Sequence, residues 1–153
     1  MVFSMSESLK NMPLQNLAIR YFEEVLNSHQ RNFKIIEPPP SVQKKNAISF
    51  IIFIEDTGER WGVIIKDWRR SIGSDTIIKF KRVVESLGLT AGIVIGNKIS
   101  DLAIEKARRY GLITLTRGEM ISFLYSRGAK VELSEVNNDA TSNSSREAKM
   151  EKE

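Results

Sequence analysis

The densest group of basic side chains in the sequence follows an apolar run at positions 61–65. The group consists of cations and one tryptophan, and its members are Lys66, Trp68, Arg69, Arg70, Lys79, Lys81 and Arg82. Cations clustered in this way bind phosphates, largely regardless of base sequence, through the release of counterions. Trp68 could add stacking on a base or a sugar. A solvated helix face with a packed tryptophan fits the same residues equally well.

Residue types exclude several other chemistries. The sequence has no cysteine and a single histidine, His29, so disulfides, thiolate sites and histidine metal clusters are excluded. No apolar run approaches the ~18 residues of a membrane helix. The first residues lack a basic segment followed by an apolar core, so we expect a cytoplasmic protein without a signal peptide.

Charge is spread unevenly along the chain. The formal net charge is +4, with 18 basic against 12 acidic residues over 13–129 and 4 against 6 over 130–153. The central part is therefore more basic than the whole. This excess is compatible with nucleic-acid binding, although many proteins with other functions share it.

Helical periodicity and strand-like runs alternate between the two ends. We predict helices over 13–28, 76–87 (capped by Ser74 or Asp75), 101–110 (capped by Ser100) and 117–126. Strands are predicted at 32–36, 47–54, 60–68, 90–96 and 112–116, the second and third forming a hairpin around a turn-like EDTGER.

The resulting order is α-β-β-β-α-β-α-β-α. A hairpin followed by β-α units predicts an α/β fold, with a mixed sheet flanked by helices on both faces. Residues 1–12 and 130–153 are too polar to offset their ordering entropy by burial. We predict a flexible N-terminus (1–12), one domain (13–129) and a disordered tail (130–153).

The order and spacing of several short motifs resemble the Mrr-like restriction endonuclease domain of the PD-(D/E)XK nuclease superfamily. The likeness extends over about residues 14–126. It rests on these motifs: Phe22-Glu23, the strand WGVIIKDW, Gly92-Ile93-Val94-Ile95, Ile99-Ser100, Ala103, Ala107 and Gly111-Leu112-Ile113. This resemblance implies a restriction-endonuclease-like fold and a DNA partner.

The resemblance also implies catalytic roles for Lys66, at the end of the second hairpin strand, and for Glu23, on the first helix. Family members carry an acid two residues before this lysine and another on the first hairpin strand, and the acids hold divalent metal. Here the first position is Ile64, and the run over 48–51 reads Ile-Ser-Phe-Ile. Both acids are missing, so we expect no metal ligand and no cofactor, with Mg²⁺ only if the protein is active.

Displaced acids could rebuild such a site. Besides Glu23, the candidates are Glu37, before the three prolines, and Asp67, which a continuing strand would turn to the opposite face. Glu55 and Asp56 belong to the predicted turn, too far out. The alternative is that all of these acids are solvated surface charges.

Three functions remain open on the sequence alone. The first is a DNA-binding domain with lost or impaired metal-dependent cleavage. The second is an active Mrr-like endonuclease with displaced acids. The third is a protein-interaction subunit, working as a homodimer or with a partner protein, in which the apolar strand 48–54 could be an exposed sheet edge.

Overall fold

The computed structural model describes the backbone of residues 9–40 and 47–138, and the side chains within these ranges up to residue 127. The main elements are α1 (Leu14–Ser28), β1 (Phe33–Ile36), β2 (Phe50–Ile54), β3 (Glu59–Lys66), α2 (Ser74–Ser86), β4 (Ala91–Gly96), α3 (Asp101–Tyr110), β5 (Ile113–Thr116) and α4 (Arg117–Asn138). This order confirms the prediction from the sequence.

The strands form one mixed sheet in the order β1-β2-β3-β4-β5. The first three strands are antiparallel, and β3, β4 and β5 run parallel, so that Lys66 lies beside Gly96 at the carboxyl ends of their strands. Gly58, with φ of 77°, closes the predicted hairpin between β2 and β3. Because β1 pairs with β2 on one side and β3 pairs with it on the other, β2 is not the exposed sheet edge that we considered possible for strand 48–54.

Side chains alternate between two hydrophobic layers on the two faces of the sheet. Val63 and Ile95 face the layer that contains α1 and α4, and Ile64 and Val94 face the layer that contains α2 and α3. This alternation follows from the two-residue period of a strand. It places Lys66, two residues after Ile64, on the α2 side of the sheet.

Helix caps follow the sequence in part. The Ser100 hydroxyl accepts a hydrogen bond from the Ala103 amide (3.1 Å) at the start of α3, as predicted. Gly111, with φ of 73°, ends that helix. The predicted cap of α2 is wrong: Gly73 is the cap, and Ser74 and Asp75 lie in the first turn, where an acidic side chain interacts favourably with the helix dipole.

The two ends of the packed domain also differ from the prediction. Leu9 is fully buried in the core, and Arg117 donates to the backbone oxygens of Met12 (2.7 Å) and Lys10 (3.2 Å). Residues 9–12 therefore pack against the domain, held by an apolar anchor and by a partly buried guanidinium. At the other end α4 continues as helix to Asn138, since the chain beyond 126 contains no proline. The predicted flexible residues 1–8 and tail residues 139–153 lie outside the described residues.

Candidate nucleic-acid interface

A cleft of about 570 Å³ opens at the end of β3, beside Lys66. Residues from α1, from the segments after β1 and before β2, and from the end of β3 and the two residues after it line the cleft: Gln15, Glu37, Pro38, Ile48, Ser49, Ile65, Lys66, Asp67 and Trp68. The cleft forms here because β3 ends at Lys66 and the chain turns away toward α2. The predicted lysine thus lies at the carboxyl end of the central strand, next to several polar groups from different elements.

Uncharged residues occupy the positions where the resemblance predicts acids, namely Ile64 and the run over 48–51. Ile64 is 6% exposed and Ile48 is 4% exposed, and both belong to the hydrophobic cluster that includes Phe80 of α2. The neighbouring Ser49 hydroxyl accepts a hydrogen bond from the Ile65 amide (2.9 Å). The face beside Lys66 is therefore apolar.

Two of the displaced acids do reach the cleft. Glu37 lines it, as the sequence allowed, and so does Asp67, because the strand ends at Lys66 and the alternation of faces stops there. Asp67 is already held: its Oδ1 accepts from Asn97 Nδ2 (2.7 Å) and lies 3.8 Å from Arg117 Nη2. Within the described residues, no group of three or more histidine, cysteine, aspartate or glutamate side chains can hold a metal ion. The cleft thus contains two carboxylates beside Lys66, and one of them, Asp67, already has hydrogen-bond and ionic partners.

The remaining candidate acids lie elsewhere. Glu23 is exposed on α1 and does not line the cleft. The side chain that α1 contributes is Gln15, eight residues earlier, or about 12 Å along the helix axis. Glu55 pairs with Lys34 (3.6 Å), and Asp56 accepts from Asn32 at the hairpin turn.

Trp68 organises the cations at the cleft. The Arg70 guanidinium lies 4.0 Å from the centre of its ring, and the Lys66 ammonium lies 5.4 Å from it. Cation–π contacts of this kind hold charged groups over an aromatic face. Because Arg70 already covers its ring, Trp68 is less open to base stacking than the sequence suggested.

The other predicted cations extend this surface. Lys79, on α2, lines a second cavity together with Lys66 and Trp68, whereas Arg69 and Arg82 are exposed. Within residues 9–40 and 47–127, no ion pair involves the predicted cations, which are Lys66, Arg69, Arg70, Lys79 and Arg82. Their charges are therefore available to an anionic partner.

Other basic residues have internal partners. Lys81 pairs with Glu85 (3.7 Å) and lies over the Tyr110 ring, and Arg109 pairs with Glu105 (2.7 Å). These residues stabilise helices α2 and α3. The lysines at 44 and 45 lie outside the described residues. Gln15 and Ser49 were missed by the sequence analysis, although Ser49 is the one polar residue in the run 47–54.

Comparison with known proteins agrees with this architecture. A family model described as restriction endonuclease, the Mrr catalytic domain, matches residues 15–124. The chain belongs to this family. No curated protein sequence matches the chain.

A solved structure of the MspJI restriction endonuclease in complex with a 27-mer oligonucleotide is similar in fold, with a TM-score of 0.50 and 14% sequence identity. The match covers 71% of this chain and 26% of that one, so the chain spans about a quarter of MspJI. No helix among the described residues is long and apolar enough to cross a membrane.

Proposed function

We propose that this Mrr-family domain binds DNA at the Lys66 cleft and has lost, or largely lost, metal-dependent cleavage. One observation carries the proposal: Lys66 remains at the cleft among cations that form no ion pair with any described residue, while Ile64 and the run over 48–51 offer no acid beside it. The cations favour a polyanion. Without these acids, the protein lacks the metal ligands that hydrolysis in this family requires.

The binding surface comprises Lys66, Arg70 and Lys79, with Arg69 and Arg82 at its margin. Each cation that contacts a phosphate displaces a counterion, so affinity falls steeply with salt and depends little on base sequence. The oligonucleotide complex of MspJI supports a DNA partner for this fold. Trp68 acts here by placing Lys66 and Arg70 on one ring.

Salt-dependent binding tests this surface. We expect log Kd for a short duplex to rise linearly with log salt concentration, and Lys66→Ala and Lys79→Ala each to reduce the slope by about 0.9. Lys34→Ala is the matched control, since Lys34 is exposed but paired with Glu55. Equal slopes for all three variants would contradict the proposed surface.

A working endonuclease is the second candidate. Glu37 and Asp67 line the cleft together with Lys66, which favours it. Against it, Asp67 is bonded to Asn97, and Glu23, the other predicted catalytic residue, stands outside the cleft. We expect Glu23→Gln to leave both DNA binding and any nicking unchanged.

A further inference from the structure

A second cavity, of about 340 Å³, adjoins the cleft and shares Lys66 and Trp68 with it. We call it the side pocket. Its other lining residues come from the segment before β2, from β3 and from α2, and they are Ala47, Ile64, Thr76, Lys79, Phe80 and Val83. Its volume lies in the range of pockets that bind small organic groups.

Most of the side chains that line the side pocket are apolar. Ile64 is 6% exposed and Phe80 is 1% exposed, and Ala47 and Val83 are half-buried. Because Ile64 stands where the family carries an acid, the change that removes a metal ligand also gives this pocket an apolar wall. Such walls favour an aromatic or aliphatic body over a cation.

Charge and polarity restrict the ligand further. Lys66 and Lys79 line the pocket without an ion pair to any residue in 9–40 or 47–127, and Lys79 is exposed, so it stands on the solvent side. Thr76 contributes one hydroxyl. A nucleotide satisfies all three features: the flat faces of its base pack against apolar walls, its base edge can hydrogen-bond a hydroxyl, and its phosphate attracts lysines.

We propose that the side pocket receives an unpaired nucleobase of DNA bound in the cleft. This inference rests on the proposed DNA binding, because the phosphates next to that base would lie against Lys66 and Lys79. Extruding a base costs least where it is already unpaired. The protein should therefore prefer a duplex with a single-base bulge to the fully paired duplex of the same sequence.

The test compares Kd for the two duplexes by fluorescence anisotropy. Stacking on an aromatic wall corresponds to about fivefold or more in affinity, so we expect at least that preference for the bulged duplex. Two variants fill the pocket from opposite walls, Val83→Trp and Ala47→Phe. Each should bind both duplexes equally, with an affinity close to that of the native protein for paired DNA. Val25→Trp, at a half-buried valine on α1, should keep the preference.

A measurement on the native protein makes the test independent of variant folding. With 2-aminopurine as the bulged base, binding should shield its fluorescence from acrylamide. Three results would contradict the proposal that the side pocket receives a base, while leaving the proposed DNA binding intact. These are an unshielded base, equal affinity for both duplexes, and a preference that survives in both filled variants. If neither duplex binds, the proposed DNA-binding function itself is wrong, and the side pocket falls with it.

Discussion

Tyr21 is the residue whose titration should affect the stability of this domain. Its ring packs edge-to-face against Phe22 and Phe123, with centroids 5.3 and 5.2 Å away. Burial raises the Tyr21 pKa above its usual 10.0, and the charge of Glu119 raises it further. The folded state thus favours the neutral phenol more than the unfolded chain does. This stabilisation is complete below the unfolded pKa and is lost as pH rises through the folded pKa.

Urea unfolding between about pH 8 and pH 11 measures this effect. The free energy of unfolding of the native protein should fall through the alkaline range, and Tyr21→Phe should fall less, because it lacks the ionisable group. Tyr125→Phe, at an exposed tyrosine, should follow the native profile. Parallel curves for the native protein and Tyr21→Phe would show that burial of this phenol does not contribute to the pH dependence of the free energy of unfolding.

Residues at the cleft differ in how far the sequence could place them. Lys66 and Ile64 share a face because they are two apart on a strand, and this follows from sequence alone. Asp67 lines the cleft as well, which its position next to Lys66 did not predict, because residues of both sheet faces meet where β3 ends. Gln15 could not be found, because it reaches the cleft through the packing of α1 on the sheet. Glu23 was preferred on the resemblance and is exposed elsewhere.

At the scale of elements, Asn97 joins the end of β3 to the start of α4. Its Nδ2 donates to Asp67 Oδ1 (2.7 Å) and to the Trp68 carbonyl (2.9 Å), and its Oδ1 accepts from Arg117 Nε (2.7 Å). Arg117 continues the network to the Met12 carbonyl. The segment that carries Trp68 is therefore held by side chains from two other parts of the chain.

Removing the Asn97 amide should release that segment. We expect Asn97→Ala to lower the free energy of unfolding by about 1–3 kcal/mol, because it leaves partly buried polar partners unsatisfied. It should also weaken DNA binding, since Trp68 holds Arg70 and Lys66. Urea denaturation and anisotropy measure the two effects. The control is Asn16→Ala, at an exposed asparagine on α1, which should change the free energy of unfolding by no more than about 0.5 kcal/mol. An equal loss of unfolding free energy in both variants would argue against the network.

Element order was predictable because helical and two-residue periodicities are local properties of the sequence. Element ends were less so. Gly73 rather than Ser74 or Asp75 caps α2, and α4 runs past 126, because polar composition opposes burial but not helix formation. The pairing of β2 on both sides also depends on contacts between distant segments, which local periodicity does not record.

At the scale of the whole molecule, the basic excess over 13–129 divides into two groups. Lys34, Lys81, Arg109, Arg117 and Arg127 pair with acids. The cations around Lys66 do not, within the described residues, and they adjoin both the cleft and the side pocket. Composition predicted the excess of basic residues. The fold determines which of them have an acidic partner among the described residues.

A joint cleavage and binding assay tests the central claim most directly. Plasmid and linear DNA are incubated with the protein in Mg²⁺ or Mn²⁺, with Lys66→Ala alongside, and each tube is scored for both retardation and strand breaks. We expect the native protein to retard the DNA without cutting it, and Lys66→Ala to retard it less. Metal-dependent nicking that disappears in Lys66→Ala would contradict this expectation and assign catalysis to acids such as Glu37 and Asp67 instead.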